Sequence, residues 1–178
     1  HHGGCQSTDN CGISENTPLS AVLATQLGGD YMEIDTRLTS DGVPVFFHLS
    51  LNPGVVQGVY CTGKVEDYTY AQLLANCRLR NGEVIPRFED MAGYILTHTR
   101  MPMYLDSKTP DVIVPVSRIL GRLETELVSC SAPDGTYPPP PGKRCLFPGS
   151  GPVWQRGIIG LPDASSFSTF QQAYQSGQ

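Results

Sequence analysis

Tyr31-Met32-Glu33-Ile34-Asp35-Thr36-Arg37-Leu38 is the stretch that decides the fold. It reads as an extended run, and side chains alternate along a strand. Glu33 and Asp35 therefore share one face with Tyr31 and Arg37, while Met32, Ile34 and Leu38 take the other. A strand with apolar residues on one face and carboxylates on the other buries one side and keeps the other for charge.

Downstream, Ser40-Asp41-Gly42 reads as a turn. Val43 to His48 is a second extended run, with His48 at its end on the face of Phe46. Upstream, Thr17-Pro18 reads as the cap and first position of a helix carrying Leu19, Val22, Leu23 and Leu27, which stops at Gly28-Gly29. Residues 49 to 63 have no period and read as a long loop. Thr69-x-x-Gln72 is a capping box that opens a helix. Phe88, Met91, Ala92 and Ile95 give a helical spacing over 88–99. Met103 to Ser107 is a third strand, with Asp106 and Lys108 on one face and Met103 and Leu105 on the other. Thr109-Pro110-Asp111 opens a helix to about Leu127, its start delayed by Pro115. Residues 156–161 form a fourth strand and 167–174 a last short helix. Strands alternating with helices indicate parallel βαβ units and an α/β fold.

Residues 131–152 stand apart, because Pro138 to Pro141 run consecutively among glycines. They read as an irregular excursion from a single domain spanning 1–178.

The chain has 178 residues, 16% charged and 39% hydrophobic, which suits one folded domain rather than a disordered tail. A net charge of −5 argues against non-specific nucleic-acid binding. No apolar run approaches the ~20 residues of a membrane span. The six cysteines contain no C-x-x-C pair, which argues against a zinc ribbon. The simplest disulfide connectivity is local: Cys5–Cys11, Cys61–Cys77 and Cys130–Cys145. Six reduced thiols are the other reading. Disulfides would mean an oxidising compartment, so a secreted or periplasmic protein.

Three strands thus bring ionisable groups to their C-terminal ends, the rim where parallel α/β folds bind ligands. Glu33, Asp35 and Asp106 form an all-oxygen set suited to Mg²⁺, Ca²⁺ or Mn²⁺ rather than zinc. The bland reading is a solvated strand face with Arg37 as partner to the two carboxylates. His48 alone is more often structural than catalytic, and His98 reads as a surface residue at a helix C-terminus.

The motifs in their order settle more than each does alone. His1-His2-Gly3, Glu15-Asn16-Thr17, Glu33-Ile34-Asp35, the run Leu38-Thr39-Ser40-Asp41-Gly42-Val43-Pro44-Val45, and then His48 resemble the glycerophosphodiester phosphodiesterase family. That pattern runs H-R-G, E-N-T, E-x-D, L-T-x-D-G-x-P-V and a second histidine. Gly63-Lys64-Val65 with Asp67-Tyr68-Thr69, Ile85-Pro86-Arg87-Phe88-Glu89, and Leu105-Asp106-Ser107-Lys108 continue the likeness, which covers about residues 1 to 110. It also argues against His1-His2 being a purification tag.

The resemblance implies a TIM-type (β/α)₈ barrel and hydrolysis of phosphodiesters, such as deacylated phospholipids, to glycerol 3-phosphate and an alcohol. It implies His1 and His48 as the general acid/base pair, and Glu33, Asp35 and Asp106 as ligands of one divalent cation, Mg²⁺ or Ca²⁺. Lys108 and His2 fall at positions near the substrate phosphate, and Glu15 at a supporting position beside the metal or a catalytic histidine. Histidine's ordinary pKa, about 6.5, suits both proton transfers.

Three residues depart from the pattern. His2 stands for arginine, Leu49 for aspartate and Asp106 for glutamate. A catalytically inactive binding module on the same fold is one rival reading, and a barrel phospholipase of the sphingomyelinase D type is another. A full barrel takes ~250 residues, so the expectation is an incomplete barrel lacking its first strand and its last units.

Overall fold

The computed structural model describes residues 13–48, 50–130, 139–160 and 164–178, without the side chains of 157–160 and 164–167. Thr17 caps α1 (Pro18–Gln26): its hydroxyl accepts from the Ser20 amide, and Ser20 reciprocates. β1 (Met32–Leu38) turns back into β2 (Pro44–Phe46), and the two pair antiparallel with Thr36 opposite Phe46. Gly42 has φ +78° in the connecting turn, a conformation glycine adopts without Cβ strain.

Residues 50–63 carry more regular structure than their sequence suggests. They contain β3 (Val56–Gln57), which pairs antiparallel with β4 (Arg78–Leu79). Two residues per strand are too few for a period to show. A 3-10 turn (Val65–Asp67) and α2 (Tyr70–Asn76) lie between, and Thr69 with Gln72 makes the expected capping box. Then follow α3 (Phe88–His98), β5 (Met103–Ser107), a 3-10 turn (Pro110–Val112) and α4 (Ile113–Glu126). Pro115 sits in the first turn of α4, where its missing N–H has no intrahelical partner to lose. Last come β6 (Leu127–Val128), β7 (Arg144–Cys145), α5 (Val153–Arg156), β8 (Gly157–Gly160) and α6 (Ala164–Gly177).

Among the described residues the main sheet has the order β2-β1-β5-β8. β1, β5 and β8 are mutually parallel, joined by helical crossovers, as in a βαβ series. β2 is the exception. It pairs antiparallel through a tight turn, so the second extended run is a hairpin arm rather than a further parallel strand. Met32, Ile34, Met103 and Leu105 point from one face of this sheet into a core shared with α1, α3 and α4. A Cβ on Gly121 of α4 would collide with the carbonyl of Tyr174, so glycine there lets α4 and α6 approach closely.

A second apolar cluster is built by residues 45–85. Val45, Phe47, Leu51, Val56, Val65, Leu73, Leu79 and Ile85 pack around the buried Cys61–Cys77 disulfide. A second disulfide joins Cys130 to Cys145. Both local pairings agree with the simplest connectivity; Cys5–Cys11 lies outside the described residues. Leu146 is buried against α3, with Phe147 donating to the Leu96 carbonyl at 3.0 Å.

Candidate functional site

Two adjacent strands make the site. β1 and β5 run parallel with Asp35 directly opposite Asp106, and Glu33 opposite Tyr104. Alternation then places Glu33, Asp35 and Asp106 on the sheet face away from the helices. Their carboxylate oxygens lie within 4.8 Å of one another. Like charges so close repel unless a cation stands among them. Lys108 supplies one: its Nζ is 2.7 Å from Asp35 Oδ1 and 2.6 Å from Asp106 Oδ2. Three carboxylates facing one ammonium keep an excess of negative charge, which a divalent cation offsets, and the donors are all hard oxygens. The residues present therefore fit the cation that the sequence suggests.

Asp35 is the anchor. It is fully buried. Asn16 Nδ2 donates to its Oδ2 at 3.2 Å, and its own amide donates to Asn16 Oδ1 at 3.4 Å. Burial alone would push its carboxyl up. Hydrogen bonds from Lys108 and Asn16 and the positive charges of His48 and Lys108 outweigh that and hold it below 3.8. Burial works to lower the Lys108 ammonium, but the Asp106 and Asp35 carboxylates prevail and raise it above 10.5.

Asn16 was legible only as part of a motif. It adopts φ +57°, in the left-handed region that asparagine tolerates better than most residues. The kink aims its amide at Asp35 while Thr17 caps the next helix. Glu15, also buried, faces His48, with Oε1 3.9 Å from Nδ1.

His48 lies two residues past the end of β2, so strand alternation does not reach it. Arg37 is where the bland reading of the strand face fails. Its guanidinium pairs not with Glu33 or Asp35 but with the His48 carbonyl and with Glu66. His98 is exposed at the end of α3, stacked on Tyr94 at 4.1 Å between ring centroids. His1 and His2 lie outside the described residues.

A family model described as the glycerophosphoryl diester phosphodiesterase family matches residues 1–112. Glycerophosphodiester phosphodiesterase 1 of Bos taurus is 31% identical over 144 residues, covering 74% of this chain and 41% of that protein. The Homo sapiens protein of the same name is 31% identical over 116 residues, covering 61% of this chain and 32% of its own length. The chain thus spans less than half the length of these relatives.

Among solved structures, the glycerophosphoryl diester phosphodiesterase domain of a Mycobacterium tuberculosis protein aligns with 99% of this chain and 56% of its own. Its TM-score is 0.62 at 21% identity. An Oleispira antarctica phosphodiesterase in complex with the product sn-glycerol-3-phosphate aligns with 62% of this chain and 48% of its own, with a TM-score of 0.52 at 24% identity. The likeness shows the fold: α/β, with the strand and helix arrangement of part of a TIM barrel.

Proposed function

Because the chain belongs to the glycerophosphoryl diester phosphodiesterase family, we propose that it hydrolyses glycerophosphodiesters to glycerol 3-phosphate and an alcohol, with a divalent cation and histidine acid/base catalysis. The observation that carries this is the meeting of Glu33, Asp35, Asp106 and Lys108 on adjacent strands. The product bound to the Oleispira antarctica phosphodiesterase is the one this reading assigns to the chain.

Glu33, Asp35 and Asp106 would hold the cation, Mg²⁺ or Ca²⁺. When bound, it would offset charge on the non-bridging phosphate oxygens. The Lys108 ammonium faces the same phosphoryl group and adds a second positive charge, with His2 as a further contact. His48 is one member of the proton-transfer pair and His1 the other. One takes the proton from the attacking oxygen, and the other gives a proton to the leaving alkoxide as the P–O bond breaks. Glu15 Oε1 lies 3.9 Å from His48 Nδ1, where it can orient the ring. An oxidising compartment suits the two disulfides, and no helix among the described residues is long and apolar enough to cross a membrane.

The test is release of glycerol 3-phosphate from glycerophosphocholine by the protein at its natural length. EDTA is expected to abolish release, and excess Mg²⁺ or Ca²⁺ to restore it. Folded protein that releases nothing with either metal would instead be a binding module. Turnover untouched by EDTA would remove the metal from the account.

A further inference from the structure

Arg37 turns two of its three guanidinium nitrogens onto one backbone atom. Nε and Nη2 both donate to the carbonyl of His48, at 2.9 and 2.7 Å. Nη1 donates to Glu66 Oε1 at 2.8 Å. Three of the five guanidinium donors are thus engaged by protein acceptors. The Glu66 carboxylate offsets the charge, which makes Arg37 a poor anchor for a substrate phosphate.

The location explains why such a clamp is needed. β2 ends at Phe46, and the Phe47 amide still bonds the Asp35 carbonyl at 3.1 Å. At His48 the chain has left the sheet. A planar fork on its carbonyl fixes both the position and the direction of that peptide. The fork comes from β1, the strand that carries Glu33 and Asp35, so it sets His48 against the carboxylates. Glu66 belongs to the Val65–Asp67 turn, and the next residue but one, Tyr68, receives the Ser40 amide at 2.9 Å. The turn is therefore itself tied to the end of the β1–β2 hairpin. The second Glu66 oxygen, Oε2, is buried with no hydrogen-bond partner among the described residues.

We propose that Arg37 is a positioning residue that holds His48 in place for proton transfer, with Glu66 setting Arg37 in turn. This rests on His48 acting as a catalytic acid or base. Lysine cannot replace the fork, because its ammonium is a single point that cannot meet both acceptors in one plane. Displacing a reacting group by about 1 Å can cost on the order of 100-fold in rate.

The experiment compares Arg37→Lys, Glu66→Gln and His48→Ala in the protein at its natural length. Glycerophosphocholine is the probe, with melting temperature and Mg²⁺ affinity measured alongside. Arg37→Lys is expected to lower kcat by roughly 10- to 100-fold, with KM within about twofold and with melting temperature and Mg²⁺ affinity retained. Glu66→Gln keeps an acceptor for Arg37, so its kcat should fall less, in the same direction. A raised KM at constant kcat would make Arg37 a substrate contact and overturn the proposal. So would unchanged kinetics in both variants, or a loss that follows a falling melting temperature. If His48→Ala keeps its activity, the catalytic reading of His48 fails and the proposal falls with it. If His48→Ala is dead while Arg37→Lys is intact, the proposal alone fails.

Discussion

Arg156→Met is expected to lower the free energy of unfolding by about 3 to 5 kcal/mol. Arg156 is 2% exposed. Its Nη1 donates to the Leu96 carbonyl at 2.8 Å, and its Nη2 to the carbonyls of Ile95, Thr99 and Met101 at 3.1, 2.7 and 3.1 Å. The carbonyls at the end of a helix have no intrahelical donor. Here the guanidinium supplies one from the far side of the core, and its positive charge also suits the negative end of the α3 dipole. Burial pushes the guanidinium down to about 10, which leaves it charged at neutral pH. Methionine fills part of the volume and leaves buried acceptors without that donor. Each such group costs about 1 to 3 kcal/mol, and the total is less than four-fold because Ile95 and Leu96 keep the Thr99 and Phe147 amides. At about 2 to 4 °C per kcal/mol for a chain of this size, the melting temperature should fall by roughly 10 °C. Arg156→Lys should recover part of it. Urea unfolding of the three proteins checks this, and a loss below about 1 kcal/mol in Arg156→Met would show that the carbonyls find other donors.

Asp35→Asn is expected to weaken divalent-cation binding by more than about 100-fold, since removing even a group that only supports a metal ligand costs on the order of 10- to 100-fold. The variant is nearly isosteric, so the sheet and the Asn16 contact can persist while the charge is lost. Its acid behaviour should change too. The folded-state carboxyl lies below its ordinary 3.8. A carboxyl depressed in this way contributes stability that is present above the unfolded value and is lost as pH falls through the folded one. Without added metal, wild-type protein should therefore lose stability below about pH 3.8 more steeply than Asp35→Asn. Calorimetric Mg²⁺ titration and urea unfolding between neutral and acid pH measure the two effects. Wild-type Mg²⁺ affinity in Asp35→Asn would remove Asp35 from the ligand set.

How far the sequence reaches differs from residue to residue, for physical reasons. Alternation along residues 32–38 and 103–107 put Glu33 and Asp35 on one face of their strand and Asp106 on one face of its own, because strand side chains have a fixed period and the core demands the other face. The structure adds what alternation cannot encode, the register that sets Asp35 against Asp106. His48 escaped that logic because it lies past the strand end, where side chains from other elements reach it. Only the bland reading of the strand face makes Arg37 a partner for its own strand's carboxylates; its longer reach to His48 and Glu66 is a tertiary fact. Arg156 read as the start of a strand, and nothing local marks an arginine as buried. Asn16 could have been found from its residue type beside a helix cap, where asparagine both tolerates a left-handed backbone and offers a two-way amide.

In the proposed reaction His48 moves a proton beside the carboxylate cluster. The most direct measurement is kcat for glycerol 3-phosphate release by His48→Ala, in the protein at its natural length, with Mg²⁺ affinity measured on the same preparation. A fall of roughly 100- to 10,000-fold is expected with Mg²⁺ affinity retained, the range general acid/base catalysis supplies. Wild-type turnover in His48→Ala would contradict it.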